Sequence, residues 1–167
     1  QVGIGAVKYA DLSTGHDTEY VFDFDRMLAL TGNTGPYVQY AAARIRSILR
    51  KAGVLEQHLA GTSASATAGA TAPAATVAVV EPAERALALH LLEYDATLQK
   101  VGELLEPHRL CAYLFELAQL FTSFYDQCPV LKADETVRES RLALCGLVLR
   151  RLSSGLDLLG IETPENM

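Results

Sequence analysis

The apolar positions of this chain recur with the spacing of helices. From Pro36 to Ala52, the residues Val38, Ala41, Ala42, Ile45, Ile48, Leu49 and Ala52 share one face. Pro36 suits a first helical position and Gly53 suits a stop. Leu87, Leu91, Tyr94, Leu98, Val101 and Leu105 recur at spacings of four and three, which predicts a second long helix opening at Pro82. Pro107 restarts the chain. Leu110, Leu114, Leu117, Phe121 and Phe124 then mark a third helix, ended by Cys128-Pro129. A fourth helix is capped by Asp134, carries Leu142, Cys145, Leu149, Leu152, Leu156 and Leu159, and stops at Gly160. Apolar stripes of this kind predict an all-α fold, an antiparallel helical bundle.

Other segments break the pattern. Residues 2–12 alternate small and apolar groups and read as the end of a helix. Tyr20 to Phe24 alternates aromatic and acidic residues, a short extended segment, and Asp25 can cap a helical turn through Leu30. Together these predict a short N-terminal appendage on the bundle. Residues 60–80 are Ala, Thr, Ser and Gly with Pro73, and they hold no charge before Glu81. Such a stretch has too few large side chains to order itself and predicts a flexible surface loop.

Composition narrows the reading. With 167 residues, half of them apolar, the chain suits one domain with a real core, and disorder throughout is excluded. No apolar run approaches the roughly 18–20 residues of a membrane span. The chain begins with Gln1 and shows no leader pattern, so the expectation is a piece of a longer protein. The net charge of -6 argues against a simple polycationic nucleic-acid binder. Residues 54–107 hold only Arg85 and Lys100 against seven acidic residues, so an anionic partner would be steered to either side of that stretch. The three cysteines form no Cys-x-x-Cys pair and are expected to be buried, reduced and structural, which points to the cytosol. The four histidines are too scattered for a zinc site.

Little catalytic chemistry is visible. Gly3-Ile4-Gly5 lacks a third glycine, because Lys8 holds its place, so close helix packing is the better account of it. Asp23-Phe24-Asp25 reads as turn and cap before it reads as metal ligands. No Ser, His and acid suggest a nucleophile system. One surface stands apart. Tyr37, Tyr40 and Arg44 stand at i, i+3 and i+7 of one helix. Aromatic rings stack on unpaired bases, and a guanidinium pairs with phosphates or base edges. An amphipathic helix with boundary tyrosines and a solvated arginine explains the same spacing.

The runs VGIGAVKYADL from Val2, YVFDFDRML from Tyr20, GNTGPYVQYAAARIRSI from Gly32, HRLCAYLFELAQLFTSFYDQCP from His108, SRLALC from Ser140 and GLDLLGIETPENM from Gly155 resemble the C-terminal part of class I arginyl-tRNA synthetases. The resemblance covers nearly everything outside residues 54–80. It implies that residues 1–24 end the segment connecting to a catalytic domain, and that residues 25–167 form a helical anticodon-binding domain. It implies anticodon-loop contacts from Tyr37, Tyr40, Arg44, Tyr125 and Met167. Asn166 departs from the family, which usually has Arg there. Neither a His-x-Gly-His signature nor a Lys-Met-Ser-Lys-type loop is present, so no catalytic residue, metal site or cofactor is expected within this stretch. The parent is expected to attach arginine to tRNA-Arg in the cytoplasm, using ATP and magnesium. The implied partners are tRNA-Arg and the catalytic domain of the same chain, with no membrane and no DNA. The alternative is a non-catalytic helical interaction or oligomerisation domain of a degenerate paralogue.

Overall fold

The computed structural model describes residues 1–60, 77–165 and 167. Eight helices follow one another among the described residues: α1 (Val2–Leu12), α2 (Phe24–Leu28), α3 (Gly35–Lys51), α4 (Leu55–Ala60), α5 (Pro82–Leu92), α6 (Tyr94–Leu104), α7 (His108–Gln127) and α8 (Glu135–Leu158). No strand occurs among those residues. The all-α bundle is organised around α3, α7 and α8, with α5 and α6 laid on α7. Ile45 and Leu49 of α3, Leu114, Leu117 and Phe121 of α7, and Leu149 and Leu152 of α8 fill the shared core. The helix α3 starts where its sequence dictates. Thr34 Oγ1 accepts from the Tyr37 amide at 3.2 Å and donates to Ala29 O at 2.6 Å, while Pro36 pre-sets the first turn. Every residue of the expected α3 stripe is buried except Ala52, which is partly so.

The N-terminal appendage is docked through Tyr9. That ring is fully buried, and its hydroxyl lies 2.7 Å from Asn33 Oδ1 and 2.8 Å from Cys111 O, tying α1 to the loop before α3 and to α7. A Cβ on Gly35 would come within 2.8 Å of Gly5 O, so α1 and α3 cross where neither has a side chain. Helix packing therefore explains Gly5. It does not explain Gly3, whose Cβ position meets nothing within 4 Å. The cap of α2 is Asp23, not Asp25: the Arg26 amide donates to Asp23 Oδ1 at 3.0 Å. Phe24 is thus already helical, and the turn ends at Leu28 rather than Leu30.

The second long helix is divided. Glu93 donates its N–H to His90 O at 3.1 Å, one residue short of α-helical spacing, and α6 restarts beyond it. The break lets two consecutive turns face one target. His90 stacks on Tyr113 with ring centroids 4.3 Å apart, and Tyr94 meets the same ring at 5.6 Å. Both halves keep a helical period, so the spacing of apolar residues cannot reveal the break. Leu105 does not belong to the stripe. It closes α6 in the left-handed region at φ 56° and is 75% exposed.

The expected loop at 60–80 is only partly within view. Residues 61–76 lie outside the described residues. Its last residues are anchored: the Ala78 amide donates to Ser140 Oγ at 2.9 Å, and Ser140 Oγ donates to Ala78 O at 3.0 Å. Next to them is a buried ion pair, Arg141 Nε to Glu84 Oε1 at 2.6 Å. Glu84 Oε2 also accepts from the Val80 and Glu81 amides. Arg141 Nη1 donates to Pro129 O at 2.8 Å, so the cluster joins three segments. Burial pushes the Glu84 carboxyl up, but the two amides and Arg141 outweigh it and leave it below its ordinary range. The three cysteines are free and buried, and burial pushes the thiols of Cys111 and Cys145 up to about 12.

Candidate nucleic-acid interface

The exposed side of α3 meets α7 in a small cluster of rings and charges. Arg44 reaches across from α3 and lies over the Tyr125 ring, its guanidinium carbon 4.4 Å from the ring centroid. Its Nη2 also faces Asp126 Oδ1 at 3.9 Å. One turn earlier Tyr40 projects outward and is 42% exposed. Tyr37, a turn earlier still, is half-buried and meets Phe115 of α7 edge-on, with centroids 5.6 Å apart. The structure therefore brings Arg44 and Tyr125 into direct contact, pins Tyr37 to α7 and leaves Tyr40 as the freest ring. A guanidinium held over a tyrosine is arranged for planar ligands, because both groups present flat faces and ordered donors.

The chain's last residues reach α3 by another route. Beyond α8 the chain turns at Gly160, where φ is 66°, and the Ile161 amide returns to Leu156 O at 2.8 Å. The following residues then lie along α3. Gln39 Nε2 donates to Glu162 O at 2.7 Å, and Arg46 donates to Thr163 Oγ1 at 2.9 Å and to Pro164 O at 3.0 Å. Arg46 also reaches Ser153 Oγ of α8 at 3.3 Å. Burial pulls the Arg46 guanidinium down in pKa, and Arg50 adds to that, against the raising effect of Glu165. Met167, three residues past Pro164, is exposed. Asn166 lies outside the described residues.

The model of the DALR anticodon binding domain matches residues 38–167. The chain belongs to this family. The arginine–tRNA ligase of Thermobifida fusca is 64% identical over 167 residues, which are 99% of this chain and 27% of that protein. The arginine–tRNA ligase of Frankia casuarinae is 55% identical over 165 residues, again 99% of this chain and 26% of the relative. Among solved structures, Thermus thermophilus arginyl-tRNA synthetase matches with a TM-score of 0.83 at 38% identity, covering 99% of this chain and 26% of that one. The chain thus spans about a quarter of the length of the relatives it matches. These likenesses bear out the resemblance to arginyl-tRNA synthetases and the helical fold. They do not favour a separate interaction or oligomerisation domain.

Within this DALR domain, sequence reasoning found the rings of the interface but missed what holds them. Asp126 follows Tyr125 directly, so its presence was readable, but its pairing with Arg44 needs α3 and α7 side by side. Phe115 carries no signal of its own, since it lies in a run of apolar α7 residues. Gln39 and Arg46 stand seven residues apart, two turns along one face, which could have marked a polar track. Nothing in the sequence says that the chain's own last residues fill it. Among the described residues no group of three or more His, Cys, Asp or Glu side chains is placed to hold a metal. Likewise no described helix is long and apolar enough to cross a membrane.

Proposed function

We propose that this domain reads the anticodon loop of tRNA-Arg on behalf of an arginine–tRNA ligase. The single observation that carries the reading is Arg44 stacked over Tyr125 between two helices, with the exposed Tyr40 one turn away. Unpaired bases offer flat faces for the rings, and their edges offer acceptors for the guanidinium. Tyr37 supports the α3–α7 seam from below, and Met167 supplies an apolar tip from the anchored tail. The parent enzyme attaches arginine to tRNA-Arg in the cytoplasm with ATP and magnesium. That chemistry belongs to the catalytic domain of the same chain, and no step of it is routed through the residues of this domain. With a net charge of -6, general attraction to RNA is weak, so binding leans on local contacts.

The test is a titration at fixed salt of the full-length protein with tRNA-Arg and with an anticodon-mutated tRNA. Losing a base stack costs about 1–3 kcal/mol, so Tyr40→Ala weakens binding of tRNA-Arg about 5- to 150-fold. The melting temperature of Tyr40→Ala stays close to that of the wild type, because the ring is exposed. Equal binding of both tRNAs by the wild-type protein overturns the assignment.

A further inference from the structure

The chain's last residues have little apolar surface to hold them. Ile161 and Pro164 are buried, while Glu162, Glu165 and Met167 are exposed. What fixes their course is mostly polar. Gln39 Nε2 donates to Glu162 O, and the Arg46 guanidinium donates to Thr163 Oγ1, to Pro164 O and to Ser153 Oγ of α8. One planar fork on α3 thus ties two consecutive tail residues to α8. Arg46 is only 9% exposed, and with its donors directed at three protein acceptors it is not a surface cation for an incoming phosphate. The helical period of α3 relates this track to the proposed interface. Gln39 and Arg46, seven residues apart, share a face. Tyr40 is turned about 100° from Gln39, and Arg44 is about 40° further round in the same sense. The exposed Tyr40 therefore stands between the tail on one side and the Arg44–Tyr125 contact on the other.

Building on the tRNA-reading assignment above, we propose that Arg46 is a positioning residue for tRNA binding: by holding Thr163 and Pro164 against α3, it fixes the chain's last residues beside Tyr40 and so presents Met167 to the RNA. Met167 is 47% exposed and lies three residues beyond the last anchor, Pro164. Three residues span at most about 10 Å, so anchoring Pro164 confines Met167 to a small region. Without Arg46 the segment beyond Ile161 loses most of its polar anchors, and each binding event has to order it anew. That ordering opposes binding, and a tail ordered beforehand avoids it. Arg46 therefore acts on the RNA through the tail and not by touching it, which sets it apart from Arg44 two residues earlier on the same helix.

The experiment is a double-mutant cycle in the full-length protein. Binding of tRNA-Arg and of an anticodon-mutated tRNA is titrated at fixed salt, and melting temperatures are recorded for each variant. Met167→Ala is expected to weaken tRNA-Arg binding about 10-fold, part of the effect of fully burying its side chain. Arg46→Leu is expected to weaken it about 5- to 30-fold, the equivalent of ordering one free residue at each binding event. In the Arg46→Leu background Met167→Ala should cost only about 2-fold or less, because a tip no longer held contributes little. Arg46→Lys keeps the charge but is expected to lose most of the affinity, since an ammonium lacks the fork that spans tail and α8. Thr163→Val removes one acceptor from the tail at nearly constant shape, and it answers the same question where Arg46→Leu is too unstable to titrate. In that background Met167→Ala should cost about 5-fold or less. If Met167→Ala costs the same in the wild type and in these backgrounds, if it costs nothing in the wild type, or if Arg46→Lys binds as the wild type does, the role of Arg46 is refuted. Anticodon reading still stands in each case, provided that the wild type prefers tRNA-Arg to the mutated tRNA. If the wild type binds both tRNAs alike, anticodon reading fails, and the coupling between Arg46 and Met167 still decides whether Arg46 positions the tail for tRNA.

Discussion

Two places in this molecule use the same three groups. Arg44 lies over Tyr125 and faces Asp126, while Arg151 lies over Tyr94 and faces Asp95. In each, a Tyr-Asp dipeptide on one helix clasps an arginine from another, α7 to α3 in the first and α6 to α8 in the second. The rings differ. Tyr94 is 2% exposed, and its hydroxyl donates to Ser154 Oγ at 3.1 Å. Tyr125 is only half-buried and lies on the side of the bundle where Tyr40 is exposed. A buried ring makes the clasp a fastener between helices. A ring near the surface leaves the clasp within reach of solvent. The dipeptide is therefore no signature of binding, and burial of the ring decides which task it serves.

The largest expected difference is in stability. Tyr94→Ala empties core volume and is expected to cost about 3–5 kcal/mol, the range for deleting a buried aromatic. Tyr125→Ala is expected to cost less than half of that, as its ring is only partly withdrawn from water. Urea unfolding midpoints of the two variants measure the gap, and equal losses would erase the distinction between fastener and site.

A third arginine–carboxylate pair calibrates the other two. Arg141 and Glu84 are buried together, so Glu84→Gln strands a buried cation and is expected to cost about 3–5 kcal/mol. The pH dependence has a definite sign. The Glu84 carboxyl is depressed in the folded protein, so its contribution is complete above the unfolded-state value near 4.3 and is lost as pH falls through the lower folded value. Wild type should therefore lose stability relative to Glu84→Gln as the medium is acidified below about pH 4. A constant difference down to the lowest pH at which both remain folded would show that the carboxylate is not the group that matters.

Binding separates the clasps in the opposite order. Arg44→Ala is expected to weaken tRNA-Arg binding about 5- to 150-fold. Arg44→Lys should lose most of that affinity too, because an ammonium has no planar fork. Arg151→Ala is expected to leave affinity unchanged, and a matching loss there would mean that global charge, not position, drives binding. The smallest effect is on the fold: each exposed arginine–aspartate pair is expected to contribute about 0–1 kcal/mol, so Asp95→Asn and Asp126→Asn should melt within a few degrees of wild type. A large drop in either would show that the pair orders its helices and does not merely decorate them.

The sequence by itself determined most of the helices, though not α4 or the division of α5 from α6, and most of the core. The stripe of α3, its opening at Pro36 and the stops at Gly53 and Gly160 follow from rules that act within a turn or two of chain, which is why they could be read without neighbours, while the Thr34 cap one residue earlier was seen only in the structure. It also supplied Tyr37, Tyr40 and Arg44 as candidates, since side-chain type and helical spacing need no partner to be seen, whereas Tyr125 and Met167 came only with the family resemblance. Tertiary structure decided the rest. The division at Glu93 depends on Tyr113 of another helix, and the anchoring of residues 78–84 depends on Ser140 and Arg141. The track for the last residues needs Gln39 and Arg46 to meet carbonyls more than a hundred positions away. Each of these is a contact between groups distant in sequence, and no local period records it. The same holds for Arg44 over Tyr125: the two residue types were legible, but only the packing of α3 on α7 lays the guanidinium over the ring and brings it to Asp126.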